Sequence, residues 1–294
     1  MSSANTAFGS YDAPAMNDKY RFMRALRPFS FGVAIATCLI GITAAWHEGV
    51  LLPLNALLVL AGGLLLQAGV NLINDYADLE QPGRNLSGLD RACILRNFRI
   101  GLGCFLLATP IGFYLIIDRT LGLAPLFLLG LVGALGYTLN PVNYKARGLA
   151  VVLVFWLMGV LMVSGSHVAA GGELDPDIIA LSVPVSLLVS LLLLSNELRD
   201  YESDRSRGLR TLTVRSGYSR ARSFYYLLLG LTLIVTLALW GAELITRPWV
   251  LIAAIPLALR PLKYLTRPAA ERRPLTPATG QLVMGYGLLF CLSV

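Results

Sequence analysis

Long apolar stretches alternate along the chain with short polar connectors. A hydrocarbon core about 30 Å thick needs roughly 20 apolar residues in a helix. Stretches of that kind fall at 29–46, 51–76, 100–117, 121–139, 149–170, 178–198, 224–244, 249–265 and 277–294. They predict an all-α polytopic membrane protein, a bundle of nine transmembrane helices. The connectors test that division through their charges. The N-terminal segment and the loops after the second, fourth, sixth and eighth stretches hold 22 of the 24 Lys and Arg residues. The opposite side holds Arg119 and Arg247 together with Glu48, Asp118, Glu173, Asp175, Asp177 and Glu243. Basic residues gather on the cytoplasmic side of membrane proteins, so the N-terminus is expected in the cytoplasm and the C-terminus outside.

Composition agrees with this pattern. Of 294 residues, 56% are hydrophobic and 14% charged, against about 25% charged in a soluble domain. A soluble enzyme, a disordered protein and a nucleic-acid binder are excluded. The net charge of +7 belongs to the cytoplasmic loops and calls for no nucleic acid. Cys38, Cys93, Cys104 and Cys291 have no metal-binding spacing and read as buried thiols. His47 and His167 are too few for a histidine metal site or a Ser-His-Asp triad. Residues 1–20 are small and polar and read as a flexible cytoplasmic tail. Residues 21–294 read as one transmembrane domain.

With charge so scarce, two acidic clusters stand out. The first contains Asn71, Asn74, Asp75, Asp78 and Glu80 at the end of the second stretch. The second contains Asn196, Glu197, Asp200, Glu202 and Asp204 at the end of the sixth. Each carries Asn-x-x-x-Asp-Tyr, and the copies lie 125 residues apart. Four stretches separate them, so both clusters are expected at the same cytoplasmic depth. Asn71, Asn74, Asp75 and Asp78 fall at i, i+3, i+4 and i+7, one helical face. Asn196, Asp200 and Asp204 fall at i, i+4 and i+8, again one face.

Carboxylates crowded near lipid repel one another and persist when a cation sits between them. Carboxylate and amide oxygens suit Mg²⁺, which commonly bridges to substrate phosphates. Arg199, Arg205, Arg207 and Arg210 surround the second cluster, and Lys145 and Arg147 lie between the fourth and fifth stretches. These cations would complement a diphosphate. Glu80, Glu197 and Glu202 read as loop charges rather than ligands. His167 reads as an interfacial residue, and Gly130, Gly133 and Gly136 as helix-packing positions.

The clusters resemble the motifs of the UbiA superfamily of intramembrane prenyltransferases. Asn74, Asp75 and Asp78 match its NDxxDxxxD motif, and Asp200 and Asp204 its DxxxD motif. Three further segments resemble the branch that prenylates 1,4-dihydroxy-2-naphthoate for menaquinone. They are Ala25 to Pro28, Gly136 to Thr138 with Tyr144 and Lys145, and the run from Asn196 through Arg199, Asp200, Asp204, Gly208 and Thr211 to Leu212. Two departures occur. Pro82 stands where the first motif has its third Asp, and Val151 stands where that branch carries an acidic residue.

The resemblance implies transfer of an isoprenyl group from an allylic polyprenyl diphosphate to an aromatic, quinone-precursor acceptor. Dihydroxynaphthoate comes first; 4-hydroxybenzoate, homogentisate, haem or chlorin are the alternatives. It implies two Mg²⁺ ions held by Asn74, Asp78, Asp200 and Asp204, with Asp75 supporting. Asp75, Asp78, Asp200 and Asp204 would be the catalytic carboxylates. Asn71, Lys145, Asn196, Arg199 and Arg205 would bind the diphosphate. Tyr76, Tyr137, Tyr144 and Tyr201 are candidates for cation–π contact with the allylic cation. The place implied is a bacterial inner membrane, with the site facing the cytoplasm. A polytopic transporter is the competing class, since intramembrane charge marks ion pathways. Acidic residues gathered at one face fit a one-sided site better. A CDP-alcohol phosphotransferase would need one longer motif, and a scaffold without activity is the remaining reading.

Overall fold

Helix-start and helix-stop residues flank most of the apolar stretches. Pro53 and Pro176 open helices where the missing N–H costs nothing. The Asp175 carboxylate accepts from the Ile178 amide at 2.9 Å, and Ser87 with Asp90 forms a capping box. Gly171, at φ +135°, ends another helix in a conformation that favours glycine. The computed structural model describes residues 17–80, 85–137 and 144–294. The side chains of Glu80, Lys145 and Ala146 are outside that description, as are Pro82, Thr138 and Pro141 altogether.

Among the described residues every regular element is helical. They are α1 (Phe22–Leu26), α2 (Phe31–His47), α3 (Pro53–Ile73), α4 (Gly88–Asp118), α5 (Leu123–Gly136) and α6 (Ala150–Ala170). Then follow α7 (Pro176–Arg199), α8 (Tyr201–Ser206), α9 (Leu212–Ser216), α10 (Tyr218–Gly241), α11 (Pro248–Leu262) and α12 (Leu275–Cys291). Among the described residues, six helical runs are long and apolar enough to cross a membrane: Phe22–His47, Pro53–Leu79, Gly88–Asp118, Ala150–Ala170, Pro176–Arg199 and Tyr218–Gly241. The helices at the three other apolar stretches, α5, α11 and α12, are shorter. The first half of α11, Pro248–Ala254, is a 3₁₀ helix.

Helix α7 is the axis of the bundle. Its Val185, Leu188, Leu191 and Leu198 are buried in one cluster with Tyr225 of α10 and Phe290 of α12. Outward positions on α4 and α10, such as Leu106, Ile117, Leu233 and Ile234, are exposed. That is the surface expected to face lipid. Lipid supplies no hydrophobic force between helices, so close packing and interhelical hydrogen bonds must hold them. Gly159, in a π-helical stretch Phe155–Val160, leaves no room for a Cβ beside Ser186. The Ser190 hydroxyl donates to the Val151 carbonyl at 2.9 Å. At one end of the bundle, Arg119 donates to the Val168 and Gly171 carbonyls, and Asn55 donates to Asp118. His167 lies there fully buried, with Nδ1 3.3 Å from the Gly41 carbonyl.

Candidate active site

The two acidic clusters terminate α3 and α7. Helix α3 ends at Ile73, and the chain tightens into a 3₁₀ helix, Asn74–Glu80. Side chains three apart eclipse in that geometry. Asp75 and Asp78 therefore fall on one line along the 3₁₀ helix. Both are buried. The Lys19 ammonium pairs with Asp78 Oδ2 and lies 3.3 Å from Asp75 Oδ1. The Tyr20 hydroxyl donates to Asp78 Oδ2 at 3.1 Å, and Arg27 Nη2 is 3.4 Å from Asp75 Oδ1. Arg27 itself has φ +51°, an uncommon backbone for a non-glycine. It joins α1 to the following 3₁₀ turn Pro28–Ser30. The Asn71 amide donates to the Leu26 carbonyl at 2.8 Å and to Ser30 Oγ at 2.7 Å, tying that turn to α3.

The second cluster bends without losing its face. Asp200 caps α7, yet its amide donates to the Asn196 carbonyl at 3.0 Å, and the Asp204 amide donates to the Asp200 carbonyl at 2.8 Å. Arg199 grips both Asp200 carboxylate oxygens, at 2.8 and 2.6 Å. Arg207 Nη2 donates to Asp204 Oδ1 at 2.9 Å. Gly208 then turns the chain with φ +69°. The buried Glu197 accepts from the Thr213 amide at 2.9 Å and its hydroxyl at 3.1 Å. Arg272, buried just before α12, donates to the Leu198 carbonyl at 2.7 Å, pairs with Glu202, and covers the Tyr218 ring at 4.4 Å.

A cavity of about 610 Å³ joins the clusters. Asn71, Asn74 and Asp78 line it from one side, and Asn196, Arg199, Asp200 and Asp204 from the other. Lys19, Arg24, Arg27 and Arg207 add positive charge to the wall. Gln67, Val70, Tyr137, Val154 and Met158 are shared with a second, apolar cavity of about 230 Å³ between α3, α4, α5 and α6. The polar chamber thus continues into an apolar one.

The donor set fits a hard divalent cation. Asn74, Asp78, Asp200 and Asp204 present carboxylate and amide oxygens to the cavity. Asp75 Oδ2 is buried without a hydrogen-bond partner among the described residues, the kind of oxygen a cation satisfies. Among the described residues no three Asp, Glu, His or Cys side chains converge into a cage. An ion here would need water and substrate oxygens as well, which is how Mg²⁺ is usually held.

The other predicted residues divide between the chamber wall and positions away from it. Asp75 is buried beside it, held by Lys19 and Arg27. Arg205 is exposed and does not line the cavity; Arg207 does. Lys145 lies on the 3₁₀ turn Tyr144–Arg147, with its side chain outside the description. Of the four tyrosines, Tyr137 lines both cavities, whereas Tyr76 stacks on Phe98 and Tyr201 packs near Tyr218. Glu197 and Glu202 serve as hydrogen-bond and ion-pair partners within the scaffold. Four contributors had no signal in local spacing: Lys19, Tyr20, Arg27 and Arg272. Their carboxylate or carbonyl partners lie 48 to 74 residues away.

Comparison with known proteins follows the same outline. The profile of the UbiA prenyltransferase family matches residues 34–279. The chain is 29% identical to the 1,4-dihydroxy-2-naphthoate octaprenyltransferase of Escherichia coli strain K12, over 93% of this chain and 94% of that protein. It is 31% identical to the protein of the same name from Mycobacterium leprae, over 83% of this chain and 84% of that one. Its fold resembles a UbiA homolog from Archaeoglobus fulgidus bound to GPP and Mg²⁺, with a TM-score of 0.59 and 17% identity, covering 92% of this chain and 99% of that one.

Proposed function

This integral membrane protein belongs to the UbiA prenyltransferase family, and we propose that it transfers a polyprenyl group from an allylic diphosphate to 1,4-dihydroxy-2-naphthoate. One observation carries the reading. A polar chamber holding both acidic clusters and a ring of cations runs into an apolar cavity through shared residues. A diphosphate head and an isoprenoid tail have those two chemistries in that order. The naphthoate acceptor rests on the names of the two bacterial relatives.

Asn74, Asp78, Asp200 and Asp204 would hold Mg²⁺. When bound, the ion neutralises diphosphate oxygens and stabilises the leaving group. Arg199 and Arg207, each seated on a carboxylate of the second cluster, add fixed positive charge where the diphosphate leaves. Asn71 lines the chamber, and Lys145, on the turn Tyr144–Arg147, would add a further cation for the diphosphate. The breaking C–O bond gives its electron pair to the diphosphate; the acceptor ring supplies the pair for the new C–C bond and regains aromaticity by losing the proton, or the carboxyl group as CO₂, from the attacked carbon. Val70, Val154 and Met158 keep water from the allylic cation. Tyr137 places a ring at the junction of the two chambers, where a cation is attracted to its face.

The charge asymmetry of the loops supports nine spans, with the N-terminus and the site on the cytoplasmic face of a bacterial inner membrane. In this reading residues 21–294 act as one domain behind a tail at 1–20.

The test is purified protein in nanodiscs with farnesyl or octaprenyl diphosphate, Mg²⁺, and dihydroxynaphthoate, 4-hydroxybenzoate or homogentisate in parallel. Prenylated naphthoate is expected, and EDTA should abolish it. Product from 4-hydroxybenzoate alone would replace the acceptor. Product formed in EDTA would refute the metal role.

A further inference from the structure

Gln67 lies on α3 one turn before Asn71, inside the span Pro53–Leu79, and is 6% exposed. A polar side chain there is costly unless its groups find partners. Among the described residues, Gln67 and Tyr137 are the two polar side chains that line both the polar chamber and the apolar cavity.

A chain of bonds fixes which way the Gln67 amide points. The Leu26 carbonyl can only accept, so Asn71 turns its NH₂ group to it, at 2.8 Å. The same NH₂ donates to Ser30 Oγ at 2.7 Å, and the Ser30 proton goes to the Arg27 carbonyl at 2.9 Å. Asn71 Oδ1 and Ser30 Oγ are left as acceptors facing Gln67. The Gln67 NH₂ group donates to them at 3.1 and 3.2 Å. Both amide protons are then used, and Oε1 is the polar atom that remains. Among the described residues nothing donates to it. It is not one of their sealed, unbonded oxygens, so it opens onto the junction of the two cavities.

An amide oxygen can only accept. The prenyl diphosphate has no donor for it: the tail is apolar and the head carries acceptor oxygens. The aromatic acceptor does have one. In 1,4-dihydroxy-2-naphthoate the 1-hydroxyl lies beside the carboxylate and donates to it internally, which leaves the 4-hydroxyl free.

We propose that Gln67 Oε1 accepts the 4-hydroxyl proton of the naphthoate and so places the acceptor ring at the junction of the two cavities. No proton passes to Gln67. The bond leaves more electron density on the phenol oxygen, and so on the ring that attacks. This rests on the acceptor reading above and names the atom that recognises it.

The experiment uses the full chain in anaerobic nanodiscs with Mg²⁺ and geranyl thiodiphosphate, an analogue slow to ionise, so that acceptors bind without turnover. Calorimetry gives Kd for 1,4-dihydroxy-2-naphthoate and for 1-hydroxy-2-naphthoate, which lacks only the 4-hydroxyl. The wild type should bind the first about tenfold more tightly, the equivalent of one buried hydrogen bond. Gln67→Met should bring the two within about twofold, and Gln67→Glu, which keeps an acceptor oxygen, should retain the preference. An equal weakening of both ligands in Gln67→Met, with the preference intact, would show a packing role and overturn the proposal. A wild type that binds the two equally would overturn it without any variant. A wild type that binds neither naphthoate would overturn the acceptor reading itself.

Discussion

Arg272→Met tests how firmly the second acidic cluster is held. Arg272 is 3% exposed and reaches the end of α7 from the opposite end of the sequence. Its bond to the Leu198 carbonyl is charge-assisted, contributing about 1.5–3 kcal/mol. Its seat over the Tyr218 ring contributes roughly 1–2 kcal/mol when desolvated. The pair with Glu202, whose side chain is half exposed, contributes at most about 1 kcal/mol. Against these, Arg272 Nε is buried without a partner among the described residues, which costs about 1–3 kcal/mol and is relieved in the variant. The net loss is about 2 kcal/mol, and methionine fills much of the same volume. Because every 1.4 kcal/mol is tenfold, local opening should rise roughly 30-fold. The reporters are the amides of Asp200 and Asp204, which close the backbone across the bend. Hydrogen exchange read by mass spectrometry on peptides spanning 196–206 measures them. Exchange there within about threefold of wild type would refute the idea that Arg272 pins this end of α7.

Two further outcomes follow from the cavity walls. Arg207→Ala should raise KM for the allylic diphosphate about tenfold, the equivalent of one charge-assisted bond, while Arg205→Ala should leave it unchanged. Equal losses in steady-state assays of the two variants would show that facing the chamber is not what matters. Gly62 lines the apolar cavity, and a Cβ there meets Ile111 at an ordinary 3.5 Å. Gly62→Leu should therefore fold and shorten the longest prenyl chain accepted, with geranyl and farnesyl transfer retained. An unchanged chain-length profile by product chromatography would place the tail elsewhere.

Much of the chemistry is legible in the amino-acid sequence. The i, i+4, i+8 spacing of Asn196, Asp200 and Asp204 predicts one face. The backbone bonds 196–200–204 keep it, even though α7 stops at Arg199. The first cluster was half legible. Asn71, Asn74 and Asp78 meet at the cavity, but spacing rules for an α-helix could not show that Asn74–Glu80 tightens to 3₁₀ or that Asp75 is buried beside the cavity. The choice of Arg207 over Arg205 was likewise out of reach, because the break at Asp200 resets the direction of every later side chain. His167 is fully buried, close to Gly41 and facing Glu48 at 3.4 Å, a burial its sequence position did not show. A single histidine in an apolar stretch carries no signal of the helix that will cover it.

The apolar runs, the sidedness of Lys and Arg and the twin acidic clusters are local properties. They follow from the solvent a membrane provides, which admits helices with internally satisfied backbones and little else. Helical class, membrane residence and the residue types of the site could therefore be read along the chain. Which cation meets which carboxylate could not. Lys19 on Asp78 and Arg272 on Leu198 join partners 59 and 74 residues apart. Such pairings depend on which helices become neighbours, and that is set by small-residue contacts such as Gly159 on Ser186 across the whole bundle.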